Sequence, residues 1–120
     1  TGEPQGLGKY KNRTTGVSSS VAKFASAFAA GARHLAKYDA NYANMIYYKA
    51  VNAYHYALSD TGVCQTAPNR APYFYEEENW YDDVELAAVQ LAKFDPDNQY
   101  FSDAVRYGKM EAHSQWMGKD

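Results

Sequence analysis

Five aromatic rings and five carboxylates crowd the stretch from Tyr73 to Asp83: Tyr73, Phe74, Tyr75, Trp80 and Tyr81 share it with Glu76, Glu77, Glu78, Asp82 and Asp83. No basic residue interrupts them. Two carboxylates held at a fixed separation can serve as general acid and general base. Flat aromatic faces can carry a ligand, with phenol and indole groups as hydrogen-bonding handles. The same rings can equally be plain packing. The stretch runs directly into Val84, Leu86, Ala87, Val89 and Leu91, an apolar pattern with helical spacing, so all three readings place it at a helix entrance.

Other reactive residue types are sparse. His34, His55 and His113 form no pair with metal-ligand spacing, and His34 and His55 fall on predicted helices as surface or rim residues. Cys64 is alone, which excludes an internal disulfide and a cysteine zinc cluster; it reads as a small buried residue rather than a nucleophile. Twelve basic residues face fourteen acidic ones, a net charge of −2. The basic residues are scattered, with Lys9, Lys11 and Arg13 the closest grouping, so nothing supplies the concentrated positive field that a nucleic-acid or anionic-membrane partner needs. No apolar run approaches the roughly 20 residues of a membrane span.

The elements that must position the crowded stretch are helical. After a glycine-bearing leading loop, residues 1–16, a helix is expected from Ser18 or Ser19 as N-cap to about Lys37. Val21, Phe24, Ala25, Phe28, Ala32 and Leu35 mark its apolar face. A second helix is expected from about Asn41 to Leu58, with one stripe of Met45, Tyr48, Val51, Asn52 and His55 and another of Ile46, Ala50, Ala53 and Ala57. These two form a hairpin over residues 17–58. A long loop, 59–80, leads to a second hairpin over 81–112, with helices expected near Asp82–Phe94 and Gln99–Ala112, and then a trailing loop, 113–120. Tyr47, Tyr48, Tyr54, Tyr56, Tyr100 and Tyr107 read as inter-helix packing with their hydroxyls at the rim.

The hairpins repeat. "LAKYDANYANMIYYKAVNAY" from Leu35 matches "LAKFDPDNQYFSDAVRY" from Leu91 once a short gap is allowed. A helical-hairpin repeat of this length points to a helical array or toroid. Antiparallel helices put alternate connections at the same end, so the three long loops share one face. Function concentrated in loops at one end of a rigid scaffold is a common arrangement.

"APNRAPYFYEEENWYDDVELAAVQL" resembles the catalytic module of glycoside hydrolase family 9, the inverting cellulases. "TGVSSSVAKFASAFAAGA", "KAVNAYHYALSDTGVCQTA" and "YGKMEAHSQWMGKD" agree with it in order and spacing. The resemblance implies an all-α fold in which antiparallel helical hairpins form part of an (α/α)6 barrel. It implies an endo-β-1,4-glucanase acting on β-1,4-glucan or cellulose outside the cell. It places sugar-binding rings at Tyr73, Phe74 and Tyr75, at Trp80, and at Trp116, which reads equally as platform or as packing. The family's general base lies in an Asp-Ala-Gly-Asp motif and its general acid is a late Glu; neither is found here, so no catalytic residue is expected in this chain and the chain alone is expected to be inactive.

Inverting glycosidases hold their two carboxylates roughly 6.5–9.5 Å apart. Adjacent loop acids rarely hold such a separation, so Glu76, Glu77, Glu78, Asp82 and Asp83 read better as a solvated loop and helix-start charges. Asp82 is singled out for capping and loop support. No metal ligand or cofactor is expected; calcium occurs in relatives but no ligand cluster demands it. Thr1 with no initiator Met and no signal pattern suggests a middle segment of a longer barrel, whose remaining hairpins would be its partners. The rival readings are a stand-alone helical carbohydrate-binding module and a purely structural repeat.

Overall fold

The structure is a computed structural model and describes residues 14–64, 79–96 and 98–111. Four helices account for about three quarters of these residues: α1 (Ser18–Leu35), α2 (Ala40–Ser59), α3 (Tyr81–Phe94) and α4 (Tyr100–Met110). No strand occurs among the described residues. α1 and α2 form one antiparallel hairpin, α3 and α4 the other. α1 packs on both α2 and α3, and α4 packs on α3. A Lys23–Asp83 ion pair, 3.1 Å, joins the second turn of α1 to the first turn of α3. The result is a two-layer arrangement, with α1 beside α3 and with α2 and α4 each backing its own partner.

The core of α1 differs from the expected stripe. Ala22, Ala25, Ala29 and Ala32 are fully buried, whereas Phe24 is exposed and Phe28 half-buried. Helix α1 is flanked on two sides, and only a methyl-sized side chain lets both neighbours come close. The phenylalanines are displaced to the flank, where their rings stack 6.4 Å apart. On α2 the Ile46, Ala50 and Ala57 stripe is the buried one, and Met45, Tyr48 and His55 face solvent. Leu91 and Val84 of α3 complete the centre.

The helix ends also depart from expectation. Neither Ser18 nor Ser19 caps α1; Val17 stands at the cap without a side-chain bond. Both serines are buried and tie the chain entering α1 to the chain leaving α2. Ser18 Oγ donates to the Ala57 carbonyl at 2.7 Å and accepts from the Gly62 N–H at 3.1 Å. Ser19 Oγ accepts from the Cys64 N–H at 2.8 Å. Thr15 N–H donates to the Val63 carbonyl at 2.9 Å. The two segments touch backbone to backbone: a Cβ on Gly16 would lie 2.5 Å from the Thr61 carbonyl, and Gly62 sits at φ +154°, a conformation that favours glycine.

These bonds place the chain before α1 beside the chain after α2. At the same end, the start of α3 meets the end of α4 through Trp80, Tyr81 and Tyr107. The described ends of these connections, residues 14–17, 60–64 and 79–80, are called the rim below.

Candidate functional site

Trp80 and Tyr81 are the two rings of the crowded stretch that fall within the described residues. Trp80 is half-buried and immediately precedes α3; Tyr81 is the first helical residue. The Asn79 Oδ1 accepts the Tyr81 N–H at 3.1 Å, fixing the turn that carries both rings. Their centroids are 4.5 Å apart with the planes tilted at 44°. Both rest on Tyr107 of α4, at 5.7 Å for Trp80 and 6.5 Å for Tyr81. Three rings, from α4, the first turn of α3 and the residue before it, thus make a continuous aromatic step, with Tyr107 buried beneath it.

The acidic residues separate into two kinds. Asp82 is exposed in the first turn of α3, where a negative charge meets the positive end of the helix dipole. Asp83 is turned inward, 8 % exposed, and pairs with Lys23. Deeper in the molecule, Asp103 uses both oxygens: Oδ1 lies 3.2 Å from the Arg106 Nη2, and Oδ2 accepts from the Tyr54 hydroxyl at 3.0 Å. Asp95 accepts from the Tyr47 hydroxyl at 3.3 Å. The buried acids are thus engaged with a cation or a phenol, which is structural work.

The tyrosines divide as well. Tyr54, Tyr100 and Tyr107 are buried and Tyr47 is half-buried, all in inter-helix packing, whereas Tyr48 and Tyr56 point to solvent. The Tyr54 hydroxyl is not at the rim as expected: it crosses from α2 to Asp103 at the start of α4. Burial, followed by the hydrogen bond to Asp103, pushes its pKa far above the usual phenol value of 10.0. Burial likewise raises Tyr47, reinforced by Tyr100 and Asp95, and burial raises Tyr100. All three remain neutral hydrogen-bonding groups over the ordinary pH range, and none is an available phenolate base.

Tyr73, Phe74, Tyr75 and Trp116 lie outside the described residues, as do Glu76, Glu77, Glu78 and His113. His34 and His55 are exposed. Cys64 is partly buried, with its backbone N–H on Ser19. Among the described residues no group of three or more His, Cys, Asp and Glu converges on a metal-sized site. Nor is any described helix long and apolar enough to cross a membrane.

Sequence reasoning singled out Trp80, left Tyr81 open between platform and packing, and read Tyr107 as a packing residue. Tyr107 lies 27 positions from Trp80, and only the closure of the second hairpin brings them together. The signal that could have found it was the hairpin itself: the last turn of α4 must face the first turn of α3.

A family model described as glycosyl hydrolase family 9 matches residues 3–120. No curated protein and no solved structure gave a match to the chain. The all-helical fold of paired antiparallel hairpins is that of part of the (α/α)6 barrel built by this family. With a match over almost its whole length, and with two helical hairpins of the kind that build such a barrel, the chain belongs to glycosyl hydrolase family 9.

Proposed function

We propose that this chain is a segment of an inverting endo-β-1,4-glucanase, a cellulase, and that it supplies scaffold and part of the sugar-binding surface. The observation that carries this reading is the Trp80–Tyr81 step at the rim, half-buried and backed by Tyr107. A glucose ring has apolar faces and hydroxyl edges. An indole beside a phenol offers a flat apolar surface flanked by hydrogen-bonding groups. An extended glucan needs several such surfaces along a cleft, and Tyr73, Phe74, Tyr75 and Trp116 are proposed as the others. Asp82 supports the loop-to-helix junction. The substrate is β-1,4-glucan, and an insoluble polymer of that kind places the enzyme outside the cell.

Hydrolysis with inversion needs one carboxylate to activate water on one face of the sugar and a protonated partner to release the leaving oxygen. The motifs that carry these two carboxylates in the family are not found in this sequence, so both chemical groups are assigned to other hairpins of the barrel. Those hairpins are also the proposed partners of the open flank. Between α3 and α4 lies a largely apolar groove of about 520 Å³ that includes Val89, Phe101 and Val105, with Phe101 68 % exposed.

The test is hydrolysis of cellohexaose by the enzyme that carries this chain, with and without Trp80→Ala. Loss of a stacking platform raises KM by about tenfold, from a stacking contribution of about 1–1.5 kcal/mol. An unchanged KM and kcat would remove the platform reading. Cellohexaose binding by the 120-residue chain alone would instead favour a self-sufficient binding module.

A further inference from the structure

The aromatic step is connected to the core by a chain of polar contacts that the sugar-binding reading does not use. Arg106 is the central link. Its guanidinium lies 4.6 Å over the Tyr107 ring and donates to the Tyr107 hydroxyl at 3.0 Å. Asp103 Oδ1 holds that guanidinium at 3.2 Å. The other oxygen of Asp103 accepts from the buried Tyr54 hydroxyl at 3.0 Å, and Tyr54 in turn meets Tyr100 edge-on at 5.5 Å. The sequence of contacts runs from Trp80 and Tyr81 through Tyr107, Arg106 and Asp103 to Tyr54 at the centre of the interface between the hairpins.

We propose that Arg106 is a positioning residue for glucan binding: it touches no sugar, but fixes Tyr107 and through it the Trp80–Tyr81 step. This rests on the reading of Trp80 as a sugar platform. A stacking surface works only when its plane is held within about 10–20° of the productive orientation. Packing confines the Tyr107 ring to its slot but leaves its tilt and the position of its hydroxyl to polar partners. Arg106 supplies both restraints at once, a cation over the face and a donor on the oxygen. The planar guanidinium can do this while remaining bonded to Asp103; a lysine ammonium is a single point charge and cannot hold all three. The link also joins the rim to the hairpin interface. The α2 residue Tyr54, on the first hairpin, thereby helps to set a surface presented by the second.

The test uses Arg106→Met, which keeps the length and removes the charge and the donors, alongside Arg106→Lys and a control, Arg33→Met, in the last turn of α1. Near-ultraviolet circular dichroism and acrylamide quenching of Trp80 are read on the full chain carrying Trp116→Phe. KM and kcat for cellohexaose are read on the enzyme that carries the chain. Arg106→Met weakens the aromatic dichroism, increases quenching of Trp80 and raises KM about threefold at unchanged kcat, the size of an exposed cation–π contribution. Arg106→Lys recovers little of this, and Arg33→Met changes nothing. An Arg106→Met variant with parental dichroism and quenching overturns the proposal whatever its kinetics. Altered dichroism with unchanged KM also overturns it, provided Trp80→Ala raises KM in the same assay. If Trp80→Ala leaves KM unchanged, it is the platform reading that has failed, and the spectroscopy still shows whether Arg106 orders the step.

Discussion

The turn "LAKYD" joins α1 to α2, and the turn "LAKFD" opens the connection from α3 to α4. Their sequences are nearly the same and their local shapes are alike, yet their contacts differ throughout. Leu91 is fully buried and Leu35 only partly. Phe94 stacks on Tyr47 at 4.2 Å, while Tyr38 is 78 % exposed. Asp39 accepts the Tyr42 N–H at 2.9 Å and caps its own hairpin's α2, whereas Asp95 reaches across to the Tyr47 hydroxyl. The second turn faces the first hairpin; residues 36–39 of the first turn are exposed. Local sequence builds the turn, and the neighbour decides what its side chains do.

The difference can be broken most severely with alkali. Tyr47, Tyr54 and Tyr100 all lie where the hairpins meet, and all three have folded-state pKa values raised above the ordinary 10.0, with burial as the first cause. Below pH 10 both folded and unfolded chains keep these protons, so the stabilisation is complete. Above pH 10 the unfolded chain releases them while the folded one does not, and stability falls as pH rises. Thermal melts between pH 8 and 12 should show Tm falling steeply above pH 10, and less steeply in Tyr54→Phe.

Next comes the leucine pair. Leu91→Ala should cost about 3 kcal/mol, the usual penalty at a fully buried site, and Leu35→Ala about 1 kcal/mol. Urea denaturation followed by far-ultraviolet dichroism measures both; equal losses would mean that the turns are energetically equivalent. The aromatic pair is smaller. Phe94→Ala should cost about 2 kcal/mol through its stacking and partial burial, and Tyr38→Ala under about 0.5 kcal/mol. The acids sharpen the distinction most finely. Asp39→Ala removes a cap worth about 1 kcal/mol. Asp95→Ala costs a similar amount, but only it should couple to Tyr47→Phe in a double-mutant cycle, because only it shares a bond with Tyr47.

The rim residues follow the same logic as the turns. Trp80 and Asp82 were legible as a ring and a charge at a helix start, since both facts depend on neighbours in sequence. That Tyr107 underlies Trp80, and that Arg106 is bonded to Asp103, depends on α4 closing onto α3. The serines show the opposite failure. Ser18 and Ser19 have the right chemistry for caps, but burial beside the loop after α2 gives their hydroxyls stronger claims than the α1 amides.

The sequence alone determined four helices and their pairing into hairpins, because periodicity, helix propensity and connection length are local quantities. It also carried the family resemblance. The tertiary structure alone decided that alanines rather than phenylalanines form the heart of α1, that Tyr54 spends its hydroxyl on Asp103, and which of two like turns is buried. Those outcomes depend on how closely two helices approach and on which polar groups are left together when water is excluded, and a chain fixes neither until its hairpins have packed.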